Sequence, residues 1–300
     1  MQKNSTTHPF LRSDIPASSK RRRLLGLGIG VSTLLGSAGL TSCGLMSSKK
    51  PVVGLVLGAG AARGFAHVGV IKALEAQGIR PDIVVGSSAG SVIAALLASG
   101  ATGNELNRLA LNLDEATIAD WGLPFSGKFG GLIKGDALQN MINRLVKNQS
   151  IENTPMPLGI VATDLKTGQG VLFQRGDMGQ AVRASCSVPS IFQPTIINGR
   201  EYVDGGLVSP VPVRYAKQMG ADFVIAVNIS TEPSTQDSSG TFGVLLQTTS
   251  IMGQSINQLE LEHAQIVIRP ELNSMRGTDF RSRNAAILAG EEATLKIGRA

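Results

Sequence analysis

Ile83-Val84-Val85-Gly86-Ser87-Ser88-Ala89-Gly90 is the stretch that decides the fold. Ile83 to Val85 is a short apolar run stopped by Gly86, the mark of a buried strand, and residues 89–98 form an uncharged Ala, Val, Ile and Leu segment with the composition of a buried helix. The same alternation stands upstream. Val52 to Leu57 is a strand ending at Gly58, and from about Arg63 to Ala76 the residues Phe65, Val68, Ile71, Ala73 and Leu74 recur at helical spacing until Gln77-Gly78. Strand, helix, strand, helix at this spacing predicts an α/β fold with a mostly parallel sheet and crossover helices.

Further along, Asp136 is placed to cap a helix whose Leu138, Met141, Ile142, Leu145 and Val146 share a core face. Leu158 to Thr163 is another buried strand. Asn198-Gly199, between Thr195-Ile196-Ile197 and Glu201-Tyr202-Val203, is a strong signal for a two-residue hairpin. Phe223 to Val227 is a strand, and residues 231–241 form a Ser/Thr-rich loop. A long helix around 242–262, a strand at Ile266-Val267-Ile268 and a last helix from about Asn284 complete the chain. There is no internal repeat.

The formal charge of +6 is unevenly placed. Residues 1–50 hold eight Lys or Arg against the single acid Asp14, which leaves 20 basic and 21 acidic residues in the remaining chain. The body is near neutral, which speaks against a phosphate-neutralising groove and a nucleic-acid partner. Two cysteines, Cys43 and Cys186, make no disulfide framework.

The basic run Lys20-Arg21-Arg22-Arg23 precedes an uncharged stretch from Leu24 to Ser42 that is diluted by Gly, Ser and Thr. That is short and weakly apolar for a permanent span and suits a signal-peptide core, with the consecutive arginines resembling a twin-arginine export signal. Leu40-Thr41-Ser42-Cys43 resembles the bacterial lipobox, which implies that Cys43 is lipidated and becomes the first mature residue. Several acyl chains would then give lasting anchorage. The expected layout is a signal peptide over 1–42 and a lipidated tether over 43–52. Gly44 after the cysteine hints at the outer membrane, and the expected location is an exported, membrane-anchored lipoprotein.

Gly86-Ser87-Ser88-Ala89-Gly90 fits the nucleophile-elbow pattern, in which a serine sits on a sharp turn between strand and helix with glycines where the backbone is crowded. The helix start behind it favours developing negative charge. Gly58-Ala59-Gly60-Ala61-Ala62-Arg63-Gly64 is a second glycine cluster between strand and helix, able to turn several N–H groups towards one point. A dinucleotide loop would look similar but demands an acid closing the second strand, where this chain has Val85-Gly86-Ser87.

A serine needs a base. His8 belongs to the leader, and His67 falls one turn into the first helix. His263 follows Asp204 in the Ser, acid, His order of an α/β-hydrolase triad, although that fold places several strands before its nucleophile. Asp204, in Val203-Asp204-Gly205-Gly206 at the hairpin's end, is the other candidate. Burial would raise its proton affinity, and Gly205 and Gly206 would let the chain turn away from the carboxylate.

The ordered set of a Gly-rich loop with Arg63-Gly64, then G-x-S-x-G at Ser88, then Asp204-Gly205-Gly206 resembles the patatin-like phospholipase family, bacterial and lipoprotein-type. The likeness extends to Arg63-Gly64-Phe65-Ala66-His67-Val68-Gly69-Val70, to Ala162-Thr163-Asp164-Leu165-Lys166-Thr167-Gly168 and to Ala184-Ser185-Cys186-Ser187-Val188-Pro189. It implies a three-layer α/β fold with the nucleophile elbow after the second strand, a patatin-like domain over 53–230 and a C-terminal helical extension over 231–300 packed on it. It implies a Ser88–Asp204 dyad without histidine and an oxyanion hole at Gly60, Ala61 and Ala62, with Arg63 supporting that loop or meeting a phosphate. The motif glycines are Gly58, Gly64, Gly86, Gly90, Gly205 and Gly206. The implied reaction is hydrolysis of phospholipid or other acyl esters through an acyl-enzyme, with no metal or other cofactor.

Two departures stand out. Ala59 and Ala61 occupy positions usually glycine in the family, a substitution that is costly where φ must be positive. Ser209-Pro210 replaces a common Asn-Pro. A non-catalytic lipid-binding lipoprotein on the same fold is the alternative from a different class. Trp121, Phe125 and Phe129 suggest a lipid-facing flap.

Overall fold

The computed structural model describes residues 50–113, 133–233, 240–272 and 275–298. The leader, Cys43, the aromatic residues Trp121, Phe125 and Phe129 and most of the expected 231–241 loop lie outside the described residues.

Strand β1 (Val53–Leu57) leads through a 3₁₀ turn at Ala61–Gly64 into helix α1 (Phe65–Ala76). Strand β2 (Ile83–Ser87) leads into α2 (Ala89–Ala98). Two further helices follow, α3 (Gly103–Asn112) and α4 (Asp136–Leu145). The expected order of strand and helix is therefore observed, with one difference: Gly86 does not stop β2, which runs on to Ser87. β3 (Leu158–Asp164), β4 (Gly170–Phe173), α5 (Met178–Ser185) and the hairpin β5 (Thr195–Ile197) and β6 (Arg200–Asp204) come next. The chain closes with α6 (Val213–Gln218), β7 (Phe223–Val227), α7 (Gly240–Leu261), β8 (Ile266–Ile268) and α8 (Arg283–Ile297).

The sheet order is β5-β6-β3-β2-β1-β7-β8, with β4 also on β3. β3, β2, β1, β7 and β8 run parallel, whereas β4 and β6 are antiparallel to β3. Alternating side chains feed two cores. Leu55, Leu57 and Val84 pack with Val68, Ile71, Ala95 and Ile142 of the helices on one face. Val56, Val85 and Val161 pack with Val213, Ala216 and Leu261 on the other. Helices thus cover both faces, giving three layers with a mostly parallel sheet at the centre, as the family resemblance implied.

α8 crosses α1 closely because both helices present a glycine there. A Cβ at Gly69 would meet the Ile287 carbonyl oxygen at 1.8 Å, and one at Gly290 would meet the Ala66 oxygen at 2.1 Å. The hairpin turn is the expected one, with φ of 50° at Asn198 and 75° at Gly199.

Two local expectations are corrected. Asp136 does not cap α4. The preceding Gly135, at φ 81°, occupies the cap, and Asp136 pairs instead with Arg183 at 2.6 Å. Leu145 is 38 % exposed, whereas Ile142 and Val146 on either side of it stay buried, so Leu145 lies off the core face. Helix α3, which the apolar pattern does not announce, is started by a capping box in which the Thr102 side chain and Glu105 satisfy each other's backbone N–H groups.

Candidate active site

Each strand has only two edges, and the pairing on β3 assembles the site. β2 and β4 both pair with Ile160 and Val161, so they lie on opposite edges of β3. β4 and β6 both pair with Ala162 and Thr163, so β6 lies on the same edge as β2, beyond its end. Ser87 is opposite Val161 and Asp204 is opposite Ala162. The hairpin therefore delivers Asp204 to the point where β2 turns away as Ser88.

Ser88 sits at φ 51° and ψ −125°, a strained conformation that lifts its side chain out of the turn. Its backbone is held on both sides. The N–H donates to Ser185 Oγ at 2.9 Å, and that hydroxyl donates to the Val161 oxygen at 2.6 Å. The Ser88 carbonyl accepts from Ser91 N at 2.8 Å and from Ser91 Oγ at 2.6 Å.

The turn also needs close backbone contact. A Cβ at Gly90 would lie 2.1 Å from the Leu57 oxygen, and one at Gly205 would lie 2.1 Å from the Val161 oxygen. Gly58, Gly64, Gly86 and Gly206 are also tight, each with a neighbour within 2.9 Å of the added carbon.

Ser88 Oγ donates to Asp204 Oδ2 at 2.6 Å, and Asp204 Oδ1 accepts from Gly206 N at 2.6 Å. The two residues are 8 % and 5 % exposed. Burial pushes the Asp204 carboxyl up to about 6, against the lowering effect of the bonds from Ser88 and Gly206. Asp204 N donates to the Ser187 oxygen at 3.0 Å and its carbonyl accepts from Thr163 Oγ1 at 2.8 Å, so the backbone behind the carboxylate is fixed.

Neither described histidine completes a triad. His67 is fully buried, and its Nε2 donates to the Gly58 carbonyl at 2.8 Å. A carbonyl only accepts, so Nε2 carries the proton. Burial lowers the imidazole to about 4. His263 is exposed, in the turn that enters β8. β8 runs parallel to β7, and through β1 to β2, so its start lies at the opposite end of the strands from Ser88, which follows the end of β2. The His263 triad is overturned on this ground.

The glycine loop corrects part of the expected oxyanion hole. Ala62 N already donates to the Gly277 oxygen at 2.9 Å, and Arg63 N donates to the Gly60 oxygen at 3.0 Å. Among the described residues, the N–H groups of Gly60, Ala61 and Ala89 donate to no backbone carbonyl. Ala61 has a φ of 49°, so the family glycine is replaced by alanine at a position of positive φ. Arg63 is 3 % exposed and outside the cavity wall, which fits loop support and not a phosphate contact. Ala89, the residue after the serine, was not singled out from the sequence, although its place at the start of a helix is the signal that could have found it.

Ser88, Ala61 and Ala89 open into a cavity of about 430 Å³ whose walls include Val92, Ile93 and Phe280. Cys186 also lines it. Burial first, and the Asp204 charge second, push its thiol far above the ordinary range, so it stays protonated.

A patatin-like phospholipase family model matches residues 55–217, which contain the loop, the elbow and Asp204. The chain belongs to the patatin-like phospholipase family. An uncharacterized NTE family protein of Mycobacterium tuberculosis is 37 % identical over 183 residues, covering 61 % of this chain and 50 % of that one. Patatin-like phospholipase domain-containing protein 6 of Homo sapiens is 30 % identical over 209 residues, covering 68 % of this chain and 15 % of that one. This chain thus spans at most half the length of these relatives. The crystal structure of VipD from Legionella pneumophila shares the fold at a TM-score of 0.56 and 13 % identity, over 82 % of this chain and 66 % of that one.

Proposed function

We propose that this family member is a serine acyl-ester hydrolase with a Ser88–Asp204 dyad, acting on phospholipid, lysophospholipid or a related acyl ester. The reading is carried by the 2.6 Å hydrogen bond from Ser88 Oγ to a buried carboxylate whose proton affinity is raised. Ser88 Oγ attacks the ester carbonyl carbon as its proton passes to Asp204 Oδ2. A base near 6 accepts that proton more readily than an ordinary carboxylate. The oxyanion is met by the free N–H groups of Ala61 and Ala89, with Gly60 beside them. The tetrahedral intermediate collapses, the C–O bond to the alcohol breaks, and the proton on Asp204 goes to the leaving oxygen. Water, deprotonated by the same carboxylate, then attacks the acyl-enzyme and releases the fatty acid, restoring Ser88. The apolar cavity beside Ser88 suits the acyl chain.

The proposal also places the enzyme at a bacterial envelope membrane, exported by residues 1–42 and held through a lipidated Cys43. The sequence signals alone support this part. Loss of acyl-chain mass from the mature protein in Cys43→Ala tests it.

The test of activity is labelling by a fluorophosphonate probe together with release of free fatty acid from a panel of esters. Both are expected in the parent and absent in Ser88→Ala. An unlabelled, inactive parent would leave a lipid-binding protein on a hydrolase fold.

A further inference from the structure

Helix α7 is turned inside out. From Gly240 to Leu259 the sequence has no charged residue, yet most of the helix surface faces outward. Val244, Leu245, Ile251, Met252 and Leu259 are 55, 45, 51, 57 and 68 % exposed. At 100° per residue these five fall within an arc of about 120°. The inward side carries Gly253 against Pro210 and the buried Asn257 and Glu260. Asn257 Nδ2 donates to Ser230 Oγ at 2.8 Å, and Glu260 accepts from Ser209 Oγ at 2.5 Å and from Arg214 N at 3.0 Å. Polar groups, with Leu261 at the helix end, therefore fix the helix to the body, and Val244, Leu245, Ile251, Met252 and Leu259 are left outside.

Thr248 and Ser255 lie within the same apolar arc, and each hydroxyl is spent on its own helix. Thr248 Oγ1 donates to the Val244 oxygen at 2.9 Å and Ser255 Oγ to the Ile251 oxygen at 3.3 Å. Neither Thr248 nor Ser255 therefore brings a hydroxyl donor that would have to be left unpaired in hydrocarbon.

We propose that this face of α7 docks on a lipid surface, with its axis in the plane of the interface. Four observations favour lipid over a protein partner. Between Val244 and Leu259 the helix itself carries no charged side chain of the kind that sets register between two proteins. The hydroxyls of Thr248 and Ser255 are already satisfied. No described helix is long and apolar enough to cross a membrane, so α7 lies on the surface and does not span it. The inner side grips Ser209 and Pro210, which continue the loop that follows Asp204, so docking holds the dyad close to lipid. This last point rests on the acyl-hydrolase reading.

The experiment uses the full chain carrying Cys43→Ala and Trp121→Phe, with a single reporter introduced by Met252→Trp. Vesicles of phosphatidylcholine and phosphatidylglycerol are prepared with and without bromine on the acyl chains. A blue-shifted emission that is quenched by the brominated vesicles is expected, whereas an Arg80→Trp reporter in the loop entering β2 should be left unquenched. No quenching, or equal quenching of both reporters, overturns the proposal. So does a blue shift without vesicles that tracks a doubling of mass, because a second copy would then cover the face. The readout needs no turnover and can fail separately from the hydrolase reading. A second measurement uses Leu245→Lys with Leu259→Lys, both exposed and outside the dyad. Release of fatty acid from vesicles should fall about tenfold or more while cleavage of a soluble short-chain ester is unchanged, and equal loss on both substrates overturns the proposal.

Discussion

Replacing Asp204 by asparagine should inactivate the protein and stabilise it at the same time. The folded carboxyl holds its proton up to about pH 6, whereas in the unfolded chain it releases it near 3.8. Between those values the folded state carries the extra proton, so stability falls as pH rises through the window. Two units correspond to about 3 kcal/mol, a cost fully developed above pH 6 and absent below about 4. Asparagine resembles the protonated acid and avoids that cost, at the loss of the base. The Asp204→Asn variant should therefore be more stable than the parent by about 3 kcal/mol near pH 7, with the gap closing towards pH 4.

His67 acts in the opposite sense. Its folded imidazole lies near 4 against an ordinary 6.5, so the stability it contributes is present above 6.5 and lost as pH falls towards 4. It is common to both proteins and cancels in the difference, but it makes the parent's pH profile flatter than the variant's. Urea unfolding followed by circular dichroism across this range measures the gap. Ester turnover should drop by about 10²-fold or more. A variant no more stable than the parent near pH 7, or a gap that does not change with pH, would refute the reasoning that Asp204 is an ionised carboxylate in a dry site.

The parent's kcat/KM should show an acid limb near pH 6, falling tenfold per unit below it; a limb near pH 4 would mean that burial does not raise the Asp204 carboxyl. Ser185→Ala leaves the buried Ser88 N–H without an acceptor and should lower stability by about 1–3 kcal/mol in a thermal melt. The same variant should lower kcat more than it raises KM, since the elbow that aims Ser88 is loosened. Gly90→Ala forces a carbon to within 2.1 Å of the Leu57 oxygen and should yield little folded protein, while Ala98→Gly at the far end of the same helix, which loses one buried methyl, should fold with a loss of about 1–2 kcal/mol.

Much of this was legible without coordinates because it is local. The strand and helix runs around Ser88 are set by apolar composition and by glycine, so β1, α1, β2 and α2 come out within a residue or two. The hairpin at Asn198-Gly199 is equally local, since positive φ at both positions selects those residues. Where the signal lay in side-chain bonding, pattern failed: α3 starts at a capping box, and β4 and α5 are short and only partly apolar. The loop amides could not be ranked from sequence either, because the Ala62 N–H is taken by Gly277, more than two hundred residues away.

The sequence by itself determined the chemistry on offer: a serine on a glycine-flanked turn, a glycine loop, and an aspartate before two glycines. Those follow from short-range sterics, which are written in consecutive residues. Only the tertiary structure decided which candidate side chain meets the serine. Asp204 and His263 were both possible partners along the chain, and the choice fell to strand pairing on β3, where β6 takes up the edge that β2 leaves. Long-range register of that kind is fixed by packing of the whole sheet, so no stretch of sequence holds it alone.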